Sequence, residues 1–339
     1  MRPTAVTLVV GATWSRIFLV RTMLQLGSHY GAPRLPGQRG CVSLILNRPL
    51  VHVTGPVPKR VTDALEQRFE LVSDPHGADG VLALITTAVD DAYLERAGSR
   101  LKVVANYGVG VNNIDLNAAR RRGILVANTP DVLTKTTAEL AITATLALLR
   151  RVVEGDRFVR SRSPWSFSLE FMLGEGLDGK TIGIIGPGRI GRETARLAEA
   201  FGARAVFAGR DDSLEELLAI ADVVSLHCPL IPETHHLIDE SALAAMKNSA
   251  VLVNTARGPI VDELALVNAL TGGVIAGAAL DVFEFEPSVS EGLLSLDQVV
   301  LTPHIGSGTR ATREAMGMLA VEALRSVLIS KRQPPNAVT

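Results

Sequence analysis

Three apolar runs in the second half of the chain end in unusual polar side chains. Arg257 follows "LVNTA", the acids Asp281, Glu284 and Glu286 lie in "LDVFEFEP", and His304 lies in "VLTPHIGS". If those runs are parallel strands, their C-terminal ends open on one crevice, and residues far apart in sequence meet there. An arginine offers a planar fork that binds a carboxylate through two donors. A histidine beside a carboxylate is a general acid or base. Each residue alone has an ordinary explanation: a capping arginine, a surface glutamate, a histidine satisfied in a core. The three together, downstream of a glycine loop, argue for chemistry on a carboxylate-bearing substrate.

That loop is "GPGRIG", Gly186 to Gly191, between the strand-like "KTIGII" and the helix-like "RETARLAEAFG". In that context each glycine has its own role. Gly186 makes the tight turn, Gly188 lets backbone approach a pyrophosphate and Gly191 lets helix and strand pack closely. The free N–H groups at the helix start favour phosphate. A bare strand-to-helix turn and a methyltransferase-type loop are the competing readings. A dinucleotide fold of the NAD type keeps an acid at the tip of the next strand, for the ribose hydroxyls. Here that tip is Gly209, 18 residues after Gly191, and Arg210 follows it. Without the acid nothing repels a 2′-phosphate, and Arg210 supplies donors for one. The expectation is NADP(H) as preferred cofactor with NAD(H) accepted, and Asp211 and Asp212 as opposing charges nearby.

The elements that must carry these residues alternate from Val51 onward. "LVHVT", "VLALIT", "LKVVANYG" and "ILVAN" read as strands, separated by "PKRVTDALEQRF", "DAYLERA" and "DLNAARRRG" as helices. One long apolar helix is expected over "TAELAITATLALLRRVVEGDRFVRS", capped by Thr136 or Thr137. A second alternating series starts at Lys180, with strands "KTIGIIG", "RAVFA", "DVVSLHCP", "AVLVNTA", "IAGAALDVF" and "QVVLTPH", and closes on the helix "TRATREAMGMLAVEALRSVLIS". Strands alternating with helices predict an α/β protein of two doubly wound parallel-sheet domains with an interdomain cleft.

Composition narrows the class. The chain has 339 residues, a net charge of −1 and 47% hydrophobic content, so a globular protein is expected, with no pull toward nucleic acid or membrane. Two cysteines, Cys41 and Cys228, give neither a disulfide framework nor a metal spacing; no metal is expected, and a reducing, cytoplasmic setting fits. The head differs from the rest. Met1 to Thr62 holds eight Lys or Arg and no Asp or Glu. Residues 1–49 are expected to be a basic, unpatterned extension, read as an organelle transit peptide, a basic accessory segment or translated upstream sequence, the last being favoured.

From Val51 to about Ser330 the chain resembles the D-isomer-specific 2-hydroxyacid dehydrogenases. "NYGVGVNNID", "GKTIGIIGPGRIG", "HCPLIPETHHLI", "VNTARGPIVDE", "ALDVFEFEP" and "TPHIGS" match that family in order and spacing. Within it the chain looks most like glyoxylate and hydroxypyruvate reductases. The resemblance implies a flavodoxin-like substrate domain from 50–135 plus 308–332 and a Rossmann NAD(P)-binding domain from 136–307. It implies Arg257, Glu286 and His304 as the catalytic set, and backbone amides at Val109 and Gly110, with Arg257 and His304, as the substrate site. It implies a cofactor site of Gly186, Gly188, Arg189, Ile190, Gly191, Gly209 and Arg210, continued by Cys228, Pro229, Thr234, Thr255, Ala256, Asp281 and Gly306. Asp281 is expected near the nicotinamide or its ribose. The long helix and its loop are similar to the family's dimerisation arm, so a homodimer is expected, with Trp165 or Phe167 as the aromatic that reaches the partner.

The activity so implied is reduction of a small 2-keto acid to the D-2-hydroxy acid, and the reverse. Two alternatives stand beside it. One is a dinucleotide-sensing scaffold resembling the C-terminal-binding corepressors, with little turnover. The other is a phosphoglycerate or other D-2-hydroxyacid dehydrogenase.

Overall fold

The computed structural model describes residues 48–339; the expectations for the acid-free head fall almost wholly outside them. The first sheet has five parallel strands, β1 (Leu50–Val53), β2 (Glu70–Val72), β3 (Gly80–Leu84), β4 (Val103–Tyr107) and β5 (Leu125–Ala127), in the order β2-β1-β3-β4-β5. Helices α1 (Lys59–Glu66), α2 (Asp91–Ala97) and α3 (Leu116–Arg121) connect them. Asp90 and Asp115 cap the last two through bonds from the N–H groups of Tyr93 and Ala118.

The chain then leaves for a second sheet through α4 (Thr134–Leu149) and α5 (Val152–Arg160). Six parallel strands follow: β6 (Thr181–Ile185), β7 (Arg204–Ala208), β8 (Val223–Leu226), β9 (Val251–Asn254), β10 (Gly277–Leu280) and β11 (Val299–Leu301). They lie in the order β11-β10-β9-β8-β6-β7. Because β7 and β8 lie on opposite sides of β6, the loops after β6 and β8 diverge and leave a crevice, the place where such sheets bind ligands. Helices α6 (Arg189–Ala200), α7 (Leu214–Ile220), α8 (Glu240–Ala245), α9 (Glu263–Thr271) and α10 (Glu291–Leu294) complete this half. The last helix, α11 (Arg310–Leu328), returns to pack on the first sheet, where Met316, Ala320 and Leu324 join Val103, Ala105 and Tyr107 in one core cluster. Strands β4, β6, β8, β9 and β10 are buried along their whole length, the pattern of parallel strands covered on both faces.

Four sequence expectations need correction. Strand β2 was not anticipated: it is three residues long, sits at the sheet edge and exposes Glu70, so it carries no apolar signal. Helix α10, a single turn, was also unread. The long helix is two helices. The Leu149 carbonyl, which a continuing helix would need, instead accepts a bond from the Glu175 N–H at 2.8 Å, and Arg151 turns into the left-handed region at φ 52°. Neither threonine caps α4. It begins at Thr134, while the Thr136 hydroxyl pairs with that of Thr312 at 2.7 Å and Thr137 is buried.

The closing "PPNAVT" is also more than a tail. Ala337 bridges Ala127 antiparallel, the Val338 N–H donates to Val126 O at 2.8 Å and the Val126 N–H donates to Thr339 Oγ1 at 2.8 Å. The segment thus covers the open edge of β5.

Candidate active site

A cavity of about 720 Å³ lies between the two sheets, at the C-terminal ends of their strands. Its walls include Val109, Gly110 and Asn112 from the first half of the chain and Arg257, Asp281 and His304 from the second.

His304 follows β11 with its backbone in the left-handed region, φ 53°. Such a conformation persists only where neighbours impose it. Here Asp281 does so. The His304 N–H donates to the Asp281 carbonyl at 2.8 Å, and the buried Asp281 carboxylate accepts from Thr302 Oγ1, the Ile305 N–H and the Gly306 N–H at 2.6, 2.8 and 2.7 Å. Asp281 therefore holds the loop that presents His304, which sequence reasoning did not foresee.

The imidazole Nδ1 lies 2.9 Å from Glu286 Oε2. The other Glu286 oxygen accepts from the Phe283 N–H at 3.1 Å. Burial alone would raise the Glu286 carboxyl, but the bond and charge of His304, the Phe283 N–H and the Arg257 charge together hold it below its ordinary value. Glu286 is therefore an acceptor for the Nδ1 proton, which leaves Nε2 as the nitrogen free to act.

Arg257 extends from the loop after β9. Its Nη1 donates to the Ala256 carbonyl at 2.6 Å and its Nε to Asn112 Oδ1 at 2.9 Å, so Asn112, from the opposite sheet, aims the guanidinium. Burial lowers its proton affinity and the Glu286 charge opposes that effect. Nη2 lies against Gly110 so closely that a Cβ there would run into it. Arg257 and the loop at Val109 and Gly110 thus form one continuous surface.

The nucleotide crevice fits the dinucleotide that the glycine loop predicts. Gly186 has φ 91°, and a Cβ on it would meet the Cys228 backbone. A Cβ on Gly188 would meet nothing within 4 Å, so the space above it is open for a phosphate. Among the described residues the first turn of α6 has no side-chain cap, and the N–H groups of Arg189, Ile190 and Gly191 have no backbone partner. The Thr255 hydroxyl lines the cavity, buried and without a partner among the described residues. Cys228, Pro229, Ala256 and Gly306 line it too. Burial pushes the Cys228 thiol up to about 11, so it is a packing residue there.

Other anticipated residues stand differently. The Thr234 hydroxyl closes its own turn, accepting from the Ile231 N–H at 2.9 Å and donating to the Pro229 carbonyl at 2.7 Å, and it does not line the cavity. Arg189 is ion-paired with Asp131, a residue that the sequence did not single out. Gly209 and Arg210 lie beyond the cavity proper, at the tip of β7. The Gly209 N–H donates to Asp212 Oδ2 at 2.7 Å, so a carboxylate does stand at the strand tip, supplied from three residues on.

Among the described residues one grouping has metal-ligand character: His235, His236 and Glu284, with ligand atoms within 4.8 Å of one another. Its bonds are those of a structural lock. Glu284 Oε1 lies 2.7 Å from His236 Nε2, Oε2 accepts from the Glu263 N–H at 3.1 Å, and the His236 N–H donates to the Pro259 carbonyl at 2.9 Å. These contacts tie the loop after Arg257 to the loop carrying Glu286.

Known proteins share this architecture. Residues 142–306 match the family model described as D-isomer specific 2-hydroxyacid dehydrogenase, NAD binding domain. A glyoxylate reductase of Thermococcus litoralis is 42% identical over 323 residues, which are 86% of this chain and 97% of that protein. One from Pyrococcus furiosus is 43% identical over 86% of this chain and 95% of its own length. A crystal structure of a Thermus thermophilus protein superposes with a TM-score of 0.80 at 43% identity, covering 86% of this chain and all of the other. An NADPH-dependent glyoxylate/hydroxypyruvate reductase from Sinorhizobium meliloti, solved with NADP and malonate, superposes with a TM-score of 0.76 at 34% identity, over 86% of this chain and 97% of the other. With the motifs, the two parallel sheets and these relatives in agreement, the chain belongs to the D-isomer specific 2-hydroxyacid dehydrogenases.

Proposed function

We propose that this protein reduces glyoxylate, hydroxypyruvate or a similar small 2-keto acid to the D-2-hydroxy acid, and catalyses the reverse. The observation that carries the reading is the His304–Glu286 pair at 2.9 Å, whose histidine lines the same cavity as Arg257. A bound nicotinamide dinucleotide supplies the hydride. Arg257 and the amides at Val109 and Gly110 hold the substrate carboxylate. His304 Nε2 hydrogen-bonds the keto oxygen and delivers a proton to it as C2 receives the hydride, so that C=O becomes CH–OH. Glu286 stabilises the imidazolium until that transfer. The assembled trio, and relatives that are reductases, favour an enzyme over a corepressor-like scaffold.

The domain roles in this reading are a substrate domain, 50–135 with 308–332, and a nucleotide domain, 136–307. NADPH is the preferred cofactor and NADH is accepted, on the strength of Gly209 and Arg210. The protein acts as a homodimer through α5 and the loop after it, where Trp165, Phe167, Leu169 and Leu173 are exposed and Trp165 stacks on Phe171 at 6.2 Å between ring centroids. A cytoplasmic location suits the free, buried Cys228 thiol; among the described residues no helix is long and apolar enough to cross a membrane.

The test is a panel of 2-keto acids with NADPH and NADH, followed by loss of reduced-cofactor absorbance and chiral analysis of the product. Oxidation no faster than without enzyme, for every acid in the panel, would overturn the reading.

A further inference from the structure

The carboxylate-binding loop raises a question that the catalytic trio does not answer: what keeps its amides facing the substrate? A loop of glycine and valine has no side chain to do so, and its peptide planes turn easily.

Three consecutive carbonyls of this loop are held from behind. The Gly108 carbonyl accepts from the Thr129 N–H at 3.0 Å. The Val109 carbonyl accepts from Asn128 Nδ2 at 2.8 Å, and the Gly110 carbonyl from Asn106 Nδ2 at 2.7 Å. In a trans peptide the C=O of one residue and the N–H of the next point in opposite directions. Fixing those carbonyls therefore turns the N–H groups of Val109, Gly110 and Val111 away from their anchors. None of the three has a partner among the described residues, and all three residues line the cavity beside Arg257. Successive free N–H groups of this kind attract an anion.

The anchors are themselves fixed. Asn106 is fully buried, and its Oδ1 accepts from Asn113 Nδ2 at 3.2 Å. Asn128 is gripped by the closing segment of the chain: its N–H donates to the Asn336 carbonyl at 3.2 Å, and Asn336 Nδ2 donates to its carbonyl.

We propose that Asn106 and Asn128 are positioning residues for the substrate carboxylate. They set the peptide planes of residues 108–111, they add the Val111 N–H to the donors at Val109 and Gly110, and the closing segment holds Asn128 in register through Asn336. The proposal rests on the 2-keto-acid reading of the site.

The test is Asn128→Asp in the full chain. This replacement is nearly isosteric but sets an acceptor against the Val109 carbonyl, so the peptide turns over. The readouts are KM and kcat for glyoxylate and the dissociation constant of oxamate, an unreducible isostere of a 2-keto acid. Cofactor affinity and melting temperature serve as controls. KM and the oxamate constant should rise together by on the order of tenfold or more, with kcat changed much less and both controls at wild-type values. Unchanged KM and oxamate binding in a stable protein would overturn the proposal. If Asn128→Asp loses stability, Asn336→Ala decides, because it loosens Asn128 from outside the cavity. A smaller parallel rise in both constants supports the proposal, and wild-type values overturn it. Oxamate titration needs no turnover, so failure of the reduction reading is seen separately, as a wild-type protein that reduces no 2-keto acid.

Discussion

His304 Nδ1 and Glu286 Oε2 stand 2.9 Å apart, joined by side chains 18 positions distant in sequence on two different loops. The pair works only if Glu286 is ionised, and its neighbours hold its carboxyl below the ordinary carboxylate value. A carboxylate shifted down stays charged above its unfolded value and loses its partner only as pH falls through the lower, folded one. Glu286 therefore stays charged down to below the ordinary carboxylate range.

The first prediction follows from that pair. His304→Asn should lower kcat by about 10²–10⁴-fold with cofactor affinity unchanged, the usual worth of a general acid. Glu286→Gln removes the charge that favours the imidazolium. In this variant kcat for keto-acid reduction should also fall, with cofactor affinity unchanged. A wild-type kcat would show that Glu286 only supports the loop.

The second concerns the close approach of Gly110 and Arg257. A methyl group on Gly110 would run into Arg257 Nη2, whose Nε is pinned by Asn112. The guanidinium, the flexible end of a side chain on the cavity wall, would swing aside and lose its alignment with Asn112. Gly110→Ala should raise KM for glyoxylate by on the order of 10–100-fold, since small displacements in a reacting pair are costly. Thermal stability should change little. A KM within twofold of wild type would mean that the carboxylate sits elsewhere.

The third is a stability prediction. His227, just after β8, has Nε2 2.9 Å from Ser225 Oγ, and burial holds its imidazole down at about 4. The folded state thus favours the neutral ring. The contribution is complete above the ordinary value of about 6.5 and is lost as pH falls from there toward 4. His227→Gln should flatten the pH dependence of stability in that window by about 1–3 kcal/mol, less than the full shift implies because His227 as a residue is only half-buried. Denaturant unfolding at pH 7 and pH 5 measures it. Equal pH slopes in both proteins would refute the assignment.

What could be read from the sequence divides along physical lines. The glycine loop, Arg257 and His304 were legible because their residue types are uncommon at strand ends and their order is fixed by the chain, whereas Glu286 was separated from Asp281 and Glu284 only by the family resemblance. The long strands were legible because each is a continuous apolar run. Asn106, Asn128 and Asp281 were not legible as supports. Their roles depend on which carbonyl or N–H lies within about 3 Å after folding, and an asparagine near a strand end looks like any turn residue. The break at Arg151 was hidden for a similar reason: it depends on the Glu175 N–H, 26 residues after Leu149, taking that residue's carbonyl. Strand β2 was too short and too exposed to leave a pattern.

The last prediction concerns the tip of β7, where two opposite charges lie two positions apart in sequence. Gly209 lacks the acid that would read ribose hydroxyls, and Arg210 is exposed with no ion pair among the described residues. Asp212 folds back so that its carboxylate accepts the Gly209 N–H at 2.7 Å. A 2′-phosphate arriving at the tip gains Arg210, in a charge-assisted bond worth about 1.5–3 kcal/mol, and meets Asp212 as a like charge. Ribose hydroxyls arriving there gain Asp212 as an acceptor. The two residues therefore pull in opposite directions, and each can be removed alone. Arg210→Ala should weaken NADPH binding by roughly tenfold to a hundredfold and leave NADH almost unchanged. Asp212→Asn keeps the size but drops the charge, so it should tighten NADPH and weaken NADH. Dissociation constants from protein fluorescence quenching read both effects without turnover. If Arg210→Ala weakens both cofactors equally, the arginine serves the fold or the pyrophosphate. If Asp212→Asn moves neither constant, its carboxylate leaves the tip when cofactor binds.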